Sequence, residues 1–292
     1  MAFSFSHDRA SQPILFRGRR GLVSYNRPVQ HYVIRGGHKG YDRLALLART
    51  RWPDTAALLA RAGLSPGMRC IDVGCGGGHV TLEMARLVAP AGSVVGVDMD
   101  EVKLDLARQA AAQAGLANVE FRQLDVRDWV EPASYDAVFC RFVLHHLSEP
   151  IDLLRRMWAA VRPGGALIVE DPDFDGWCCH PPNEGFDFFL RSYGEVIKRR
   201  GGDHAYGRKL YAGFLAAGIP APEVHAVQPV WTAGEGKTLA WSTLEATADA
   251  IVAERVATAQ EVTASLETLW QFTVDTQTLI SGPRIFQVSS RR

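Results

Sequence analysis

Residues 70–80 read CIDVGCGGGHV: a short apolar run stops in a glycine-rich turn, and a helical pattern follows. Four glycines fall within the five positions 74–78. Glycine enters left-handed backbone conformations without steric cost and lets another group come close to the main chain. In an open parallel sheet such a bare turn belongs at the carboxyl end of a strand. Ligands bind there, near the point where the strand order reverses.

The surrounding pattern supplies such a sheet. MRCIDV, SVVGVD, VEFRQL, YDAVFC and ALIVE, between residues 68 and 170, are apolar runs rich in β-branched or aromatic residues. Helical stretches separate them. One runs from about Gly78 to Val88 and stops before Pro90. A second opens at Asp100 as N-cap and closes at Gly115, and a third follows Ser148 with Pro150 in its first turn. This alternation predicts an α/β fold of right-handed βαβ units with helices on both faces of a parallel sheet.

Outside that stretch the alternation changes. DRLALLART and DTAALLARAG predict two short helices before it. After it come helical patterns at 183–200 and 208–217, a strand at EVHAVQPV, and two long helices. The second of these opens on a capping box, Thr258 to Glu261, and RIFQVSSR predicts a final strand.

Length and composition set bounds. The 292 residues are 47% hydrophobic and 22% charged, enough for a substantial buried core. Lysine plus arginine equals aspartate plus glutamate at 32 each, which leaves no overall basic footprint for nucleic acid or an anionic membrane. No apolar stretch reaches the roughly 18 residues of a membrane-spanning helix. The five cysteines, three of them in or beside apolar runs, point to reduced thiols and a cytoplasmic protein. The arginine-bearing N-terminus reads as a tail rather than a transit peptide.

Asp72 discriminates among ligands. A carboxylate two positions before the first glycine repels a pyrophosphate and suits an ammonium group. Asp98 ends the second strand, where an acid can accept both ribose hydroxyls. Asp125 and Val126 follow the third strand and offer a carboxylate and an amide to an adenine edge. No Gly-Lys-Ser/Thr follows the turn, so a P-loop is excluded. Three acids at three successive strand tips describe an amine, a ribose and an adenine without phosphates.

IDVGCGGG, VVGVDMD, QLDV and FCRFVLHHLSEP followed by VRPGGALIVE resemble the class I methyltransferases in their small-molecule branch. The resemblance implies S-adenosylmethionine as methyl donor and S-adenosylhomocysteine as product. It also implies a Rossmann-like, seven-stranded, mostly parallel sheet whose last strand is antiparallel and inserted beside the fifth. Carried over by position, Asp72, Gly74 and Gly76 surround the methionine moiety. Asp98 holds the ribose, Met99 packs on adenine, Asp125 and Val126 read its edge, and Arg141 lines the methionine side.

For the acceptor, His145 and His146 are the candidate bases just past the fourth strand. Most of the aromatic residues after 176 fall at helical spacing as packing, and a few, with Trp177, Phe186 and Tyr193 as candidates, suit an apolar pocket for a small organic molecule. A helical N-terminal lid is expected, with Tyr41 over the cofactor and Tyr25, Tyr32 and Arg35 toward the acceptor. The acid run at 170–175 reads as a solvated loop rather than a metal site. Cys178, Cys179, His180 and His204 match no common zinc spacing, so no metal is expected.

The chain divides into a lid (1–40), a donor-binding core (41–172), a helical cap (173–218) and a C-terminal part completing the sheet (219–292). The reading is a methyltransferase acting on a small organic acceptor, a natural product by the style of the chain, with oxygen favoured. Carbon or nitrogen methylation, or a methyltransferase-fold cyclase that keeps the cofactor without methylating, are the alternatives. An Asn/Asp-Pro-Pro-aromatic motif of base-methylating enzymes is absent, and Asp72 argues against a NAD-dependent oxidoreductase. Homo-oligomerisation stays open.

Overall fold

In the computed structural model, which describes residues 37–292, the apolar runs of the sequence become strands. These are β1 (Arg69–Val73), β2 (Ser93–Asp98), β3 (Val119–Gln123), β4 (Tyr135–Arg141), β5 (Val161–Asp173), β6 (Cys179–His180), β7 (Glu223–Val227), β8 (Val230–Trp231), β9 (Leu279–Ser281) and β10 (Arg284–Arg291). Seven of them form one sheet in the order β3-β2-β1-β4-β5-β10-β7. The first five run parallel, and β10 is antiparallel to both β5 and β7. The inserted antiparallel strand is the one expected from RIFQVSSR. Strand order reverses between β1 and β4, so the ends of these two strands flank the crevice where ligands bind in such sheets.

Strand alternation divides the core between two faces. Cys70, Phe139 and Ile168 pack on one side with Leu58, Leu59, Met84 and Val88. Ile71, Val138 and Cys140 pack on the other with Leu154, Met157, Leu210 and Phe214. Burial on both faces explains why these strands read as continuous apolar runs.

The helices are α1 (Gly37–Arg61), α2 (His79–Val88), α3 (Glu101–Gln113), α4 (Pro150–Ala160), α5 (Glu184–Arg199), α6 (Leu210–Ala216), α7 (Leu239–Ala253) and α8 (Ala259–Val274). Asp100 caps α3 by accepting the Lys103 amide at 3.2 Å, and Pro150 occupies the first turn of α4. The two short helices expected before β1 are one continuous helix, with Pro53 inside α1. Proline removes one main-chain bond there. Arg51, Thr55, Leu58 and Leu59 share a helical face and are all buried, so tertiary packing overrides the local break.

The predicted strand EVHAVQPV also divides. Its first part joins the main sheet as β7, and β8 joins a small antiparallel sheet of order β6-β9-β8. Helices α5, α7 and α8 pack together around Phe186, Phe189, Tyr193, Leu244 and Leu269. The capping box of Thr258 and Glu261 is present at the start of α8. α6 packs on α4 instead, with Leu210 and Phe214 in the core of the main sheet.

All five cysteines are free; Cys70 and Cys140 are buried, and burial pushes the Cys70 thiol up to about 12. Among the described residues no helix is long and apolar enough to cross a membrane.

Candidate active site

The glycine turn between β1 and α2 has the conformation its sequence requires. Gly74, Gly76 and Gly78 have φ values of 75°, 54° and 71°, where side chains other than glycine are strained. Space is also short. A Cβ on Gly77 would stand 2.8 Å from the Tyr41 ring, and one on Gly76 would stand 2.8 Å from Leu44 Cδ1. A Cβ on Gly74 would collide with Val143. The turn is a bare cradle between α1 on one side and the segment after β4 on the other. Tyr41 meets His79 edge-on at 4.6 Å between ring centroids, and burial with Asp42 nearby raises its phenol.

Asp72, at 3% exposure, accepts a hydrogen bond from Thr81 Oγ1 at 2.6 Å. Burial pushes its carboxyl up to about 6, against the opposing pull of the Thr81 bond and of Arg141. Beside it lies a buried ionic cluster. Arg141 donates to Thr55 Oγ1 at 3.2 Å and is paired in the sheet with Glu170. Burial lowers the Arg141 guanidinium, while Glu170 and Asp72 raise it. Glu170 Oε2 accepts from Gln287 at 3.0 Å, whereas Glu170 Oε1 has no hydrogen-bond partner among the described residues. Arg51, also buried, pairs with Asp54 at 2.7 Å.

At the tip of β2, Asp98 Oδ2 accepts the Gly76 amide at 2.8 Å and Oδ1 accepts the Asp100 amide at 3.0 Å. Each carboxylate oxygen keeps a further lone pair for a ligand hydroxyl. Met99, 44% exposed, offers an open apolar face beside it. Asp125 lies past β3 and is engaged with its own loop, accepting the Arg127 amide at 2.9 Å and the Arg127 guanidinium at 2.5–3.0 Å. Val126 is half-buried against the core of the sheet.

The two histidines after β4 have different surroundings. His145 is 2% exposed, with Nδ1 at 2.9 Å from Asp171 and Nε2 at 3.3 Å from the Tyr193 hydroxyl. Burial drives it down to about 3. His146 is half-buried, stacks on His145 at 3.8 Å between centroids, and is held below the ordinary value by burial, by His145 and by the cations of Arg43, Lys103 and Arg200.

The acid run at 170–175 is not the solvated loop that its composition suggests. Glu170, Asp171 and Asp173 sit in β5 with no more than 1% exposure. Each has partners: Gln287 for Glu170, the 144–145 amides for Asp171, and Arg208 for Asp173. Trp177, Phe186 and Tyr193 are more enclosed than an open acceptor wall requires. They pack in one aromatic cluster with Phe174 and Phe189. Trp177 Nε1 is buried without a hydrogen-bond partner among the described residues. Tyr25, Tyr32 and Arg35 lie outside the described residues.

The structure thus brings Tyr41, Asp72, Gly74, Gly76, Asp98, Met99 and Arg141 around the ends of β1, β2 and β4. Sequence reasoning missed Thr81, Arg51, Asp171 and Gln287. Asp171 stood in the run read as a solvated loop, and Thr81 and Gln287 stood in a predicted helix and strand without an assigned role.

Residues 64–188 match a family model described as a methyltransferase domain. Over this stretch, less than half of the chain, the sequence is similar to methyltransferase domains. The ubiquinone biosynthesis O-methyltransferase of Acinetobacter baylyi is 36% identical over 122 residues, 41% of this chain and 48% of that protein. The enzyme of the same name from Pseudomonas aeruginosa is 36% identical over 123 residues, 41% of this chain and 49% of its own length. The chain therefore spans about half the length of these curated relatives. Among solved structures, a protein of Bacillus halodurans C-125 superposes with a TM-score of 0.55 at 22% identity, covering 82% of this chain and 98% of that one. The phosphoethanolamine N-methyltransferase 2 of Haemonchus contortus, in complex with S-adenosyl-L-methionine, gives 0.51 at 20% identity over 82% of this chain and 53% of that one. At these identities the structural likeness shows the fold. The glycine cradle and the acids beside it fit a phosphate-free donor: the turn has no room for side chains, and Asp98 retains acceptor capacity.

Proposed function

We propose that this chain transfers the methyl group of S-adenosylmethionine to a small organic acceptor, with oxygen as the favoured nucleophile. One observation carries the reading. Asp72 near the end of β1 and Asp98 at the end of β2 lie on adjacent strands, and the glycine turn after β1 is tied to Asp98 through the Gly76 amide. When bound, the donor supplies an electrophilic methyl carbon already activated by its sulfonium. The protein's part is then alignment more than activation.

In this reading Asp98 accepts the ribose hydroxyls and Met99 covers the adenine. Asp125 and the Val126 amide read the adenine edge, with Asp125 released from Arg127. Asp72 faces the ammonium group, Gly74 and Gly76 leave room for the methionine chain, and Arg141 and Tyr41 close its sides. The acceptor lies toward His145, His146 and the aromatic cluster of Trp177, Phe186 and Tyr193. A neutral histidine there takes the proton of an acceptor hydroxyl as the bond to carbon forms. The names of the curated relatives favour oxygen, and the aromatic cap suits a ring-bearing biosynthetic intermediate.

Calorimetric titration with S-adenosylhomocysteine, with NADH alongside, tests the donor. Saturable binding of the former alone supports the reading. Binding of NADH alone, or of neither, overturns it. Incubation with methyl-labelled donor and a set of phenols then tests the acceptor, and label recovered as an aryl methyl ether identifies oxygen.

A further inference from the structure

The two neighbouring histidines do different work. Asp171 lies in β5 with its side chain fully enclosed. Its Oδ2 accepts the Leu144 amide at 3.0 Å, and its Oδ1 accepts the His145 amide at 3.1 Å. The same Oδ1 is 2.9 Å from His145 Nδ1. Three N–H donors therefore converge on one carboxylate. That arrangement assigns the proton of a neutral His145 ring to Nδ1 and leaves Nε2 as an acceptor. The group facing Nε2 is the Tyr193 hydroxyl at 3.3 Å, a donor that α5 brings from the cap. Tyr193 is itself 1% exposed and lies flat on Phe174, with centroids 4.4 Å apart and planes within 16°.

We propose that Asp171, His145 and Tyr193 form a buried positioning chain that holds the ring of His146, and that His145 exchanges no proton with the acceptor. The inference rests on the methyl-transfer reading only for what His146 does. Both nitrogens of His145 are engaged, and a proton taken at Nε2 would force the Tyr193 hydroxyl to turn from donor to acceptor. The titratable groups around it are Arg43 of α1, His204 and Asp203 from the segment after α5, and Asp171, whose carboxyl burial raises against the pull of the main-chain amides it accepts. Burial outweighs them and keeps the ring neutral. His146, by contrast, is half-buried and lies against the His145 ring at 3.8 Å and 39°. Asp171 also fixes the main chain of the 144–146 turn through two amides, so it sets both the backbone and the ring on which His146 rests. Through Tyr193 the chain joins the cap to the end of β5. Asp171 and Tyr193 are positioning residues in this arrangement.

The test is nitrogen NMR of the full chain labelled at histidine, with lines assigned by His145→Asn and His146→Gln. His145 is expected as the Nδ1–H tautomer, without titration between about pH 5 and pH 8, a window that spans the ordinary histidine value. Asp171→Asn places an amide where a carboxylate accepted N–H groups. It is expected to flip the His145 tautomer and to shift the His146 lines. Tyr193→Phe removes a single hydroxyl and is the milder variant should Asp171→Asn fail to fold. It is expected to keep the Nδ1–H tautomer, move the Nε2 line and shift His146. An Nε2–H tautomer in the wild-type chain, or a His145 that titrates near its ordinary value, would overturn the proposal. So would His146 lines that stay unmoved in Tyr193→Phe. S-adenosylhomocysteine titrated into the same samples separates the two readings. If the wild-type chain fails to bind it, methyl transfer is overturned while the tautomer still decides the positioning chain.

Discussion

The amide of Gly76 donates to Asp98 Oδ2 at 2.8 Å, which ties the glycine turn after β1 to the tip of β2. The other oxygen of Asp98 accepts the Asp100 amide at the start of α3. One carboxylate thus gathers three segments around the proposed ribose position. Asp98→Asn replaces one of its two acceptor oxygens by a donor that must face an N–H. The expected loss is about 1–3 kcal/mol of stability for the unsatisfied group. Affinity for S-adenosylhomocysteine is expected to fall at least about tenfold, the equivalent of one lost hydrogen bond of about 1.4 kcal/mol. Thermal unfolding and calorimetric titration read the two effects separately.

Gly74→Ala tests the cradle. The residue has a φ of 75°, and its added methyl meets Val143. Left-handed strain alone costs roughly 1–2 kcal/mol, and the collision adds to it. A melting temperature lower by several degrees is expected, together with loss of S-adenosylhomocysteine binding. Gly115→Ala, where φ is also positive but no atom lies within 4 Å, is the control that keeps binding.

Asp72 predicts a pH dependence. Burial raises its carboxyl to about 6, above the roughly 3.9 of an unfolded aspartate. Its contribution to folding is therefore complete below about pH 4 and is lost as pH rises through about 6. Binding of an ammonium-bearing ligand has the opposite sign, because it needs the ionised form. Affinity for S-adenosylhomocysteine should weaken by up to about tenfold per pH unit below about 6. Proton release on binding, measured in buffers of different ionisation enthalpy, should peak near that pH. An affinity that stays flat from neutrality down to about pH 5 would contradict the assignment of Asp72 to the ammonium group.

Asp125 is held by Arg127 across a half-exposed ion pair with side-chain exposures of 26% and 29%. If the carboxylate must leave that pair to meet adenine, Arg127→Ala should bind S-adenosylhomocysteine as tightly as the wild-type chain or up to about fivefold tighter, the scale of an exposed pair of about 0.2–1 kcal/mol. Asp125→Ala should weaken it. The same direction of change in both variants would argue for a structural pair with no part in adenine recognition.

Thr258→Ala removes one half of the capping box at the start of α8, where Thr258 accepts the Glu261 amide at 3.2 Å. The cost expected is about 1 kcal/mol. Donor binding should be unchanged, because α8 packs on α5 and α7 in the cap. Denaturant unfolding and calorimetry together check this.

The parallel core was legible because strands buried on both faces leave unbroken apolar runs, and β1 to β4 each fall on a run visible in the sequence. The glycine turn and Asp98 were legible because their chemistry is local: the residues that need positive φ or a strand tip stand beside one another in the chain. What escaped depends on long-range contacts. Thr81 matters only because α2 brings it back onto Asp72, and Gln287 only because β10 lies beside β5. The acid run 170–175 read as solvated because its partners, Gln287, Arg208 and the amides of residues 144–145, come from distant segments. The break expected at Pro53 failed for a similar reason. A local propensity was outweighed by a buried face that only the folded chain possesses. In the cap, the helical spacing of the aromatic residues pointed mostly to packing, and Phe186 and Tyr193 do lie in a buried aromatic cluster.

β10 lies between β5 and β7, and β7 touches the main sheet through β10 alone. Gln287 on β10 receives the Arg61 guanidinium on its carbonyl and donates to the Asp54 carbonyl and to Glu170. Eight residues, Arg284–Arg291, are thus a keystone: lifting them out would release β7 and loosen the first helix. It would also strip the Glu170 carboxylate, beside Arg141, of the hydrogen bond it accepts from Gln287. The integrity of the Arg141 side of the crevice, proposed for the methionine moiety, is therefore hostage to a strand on the far side of β5.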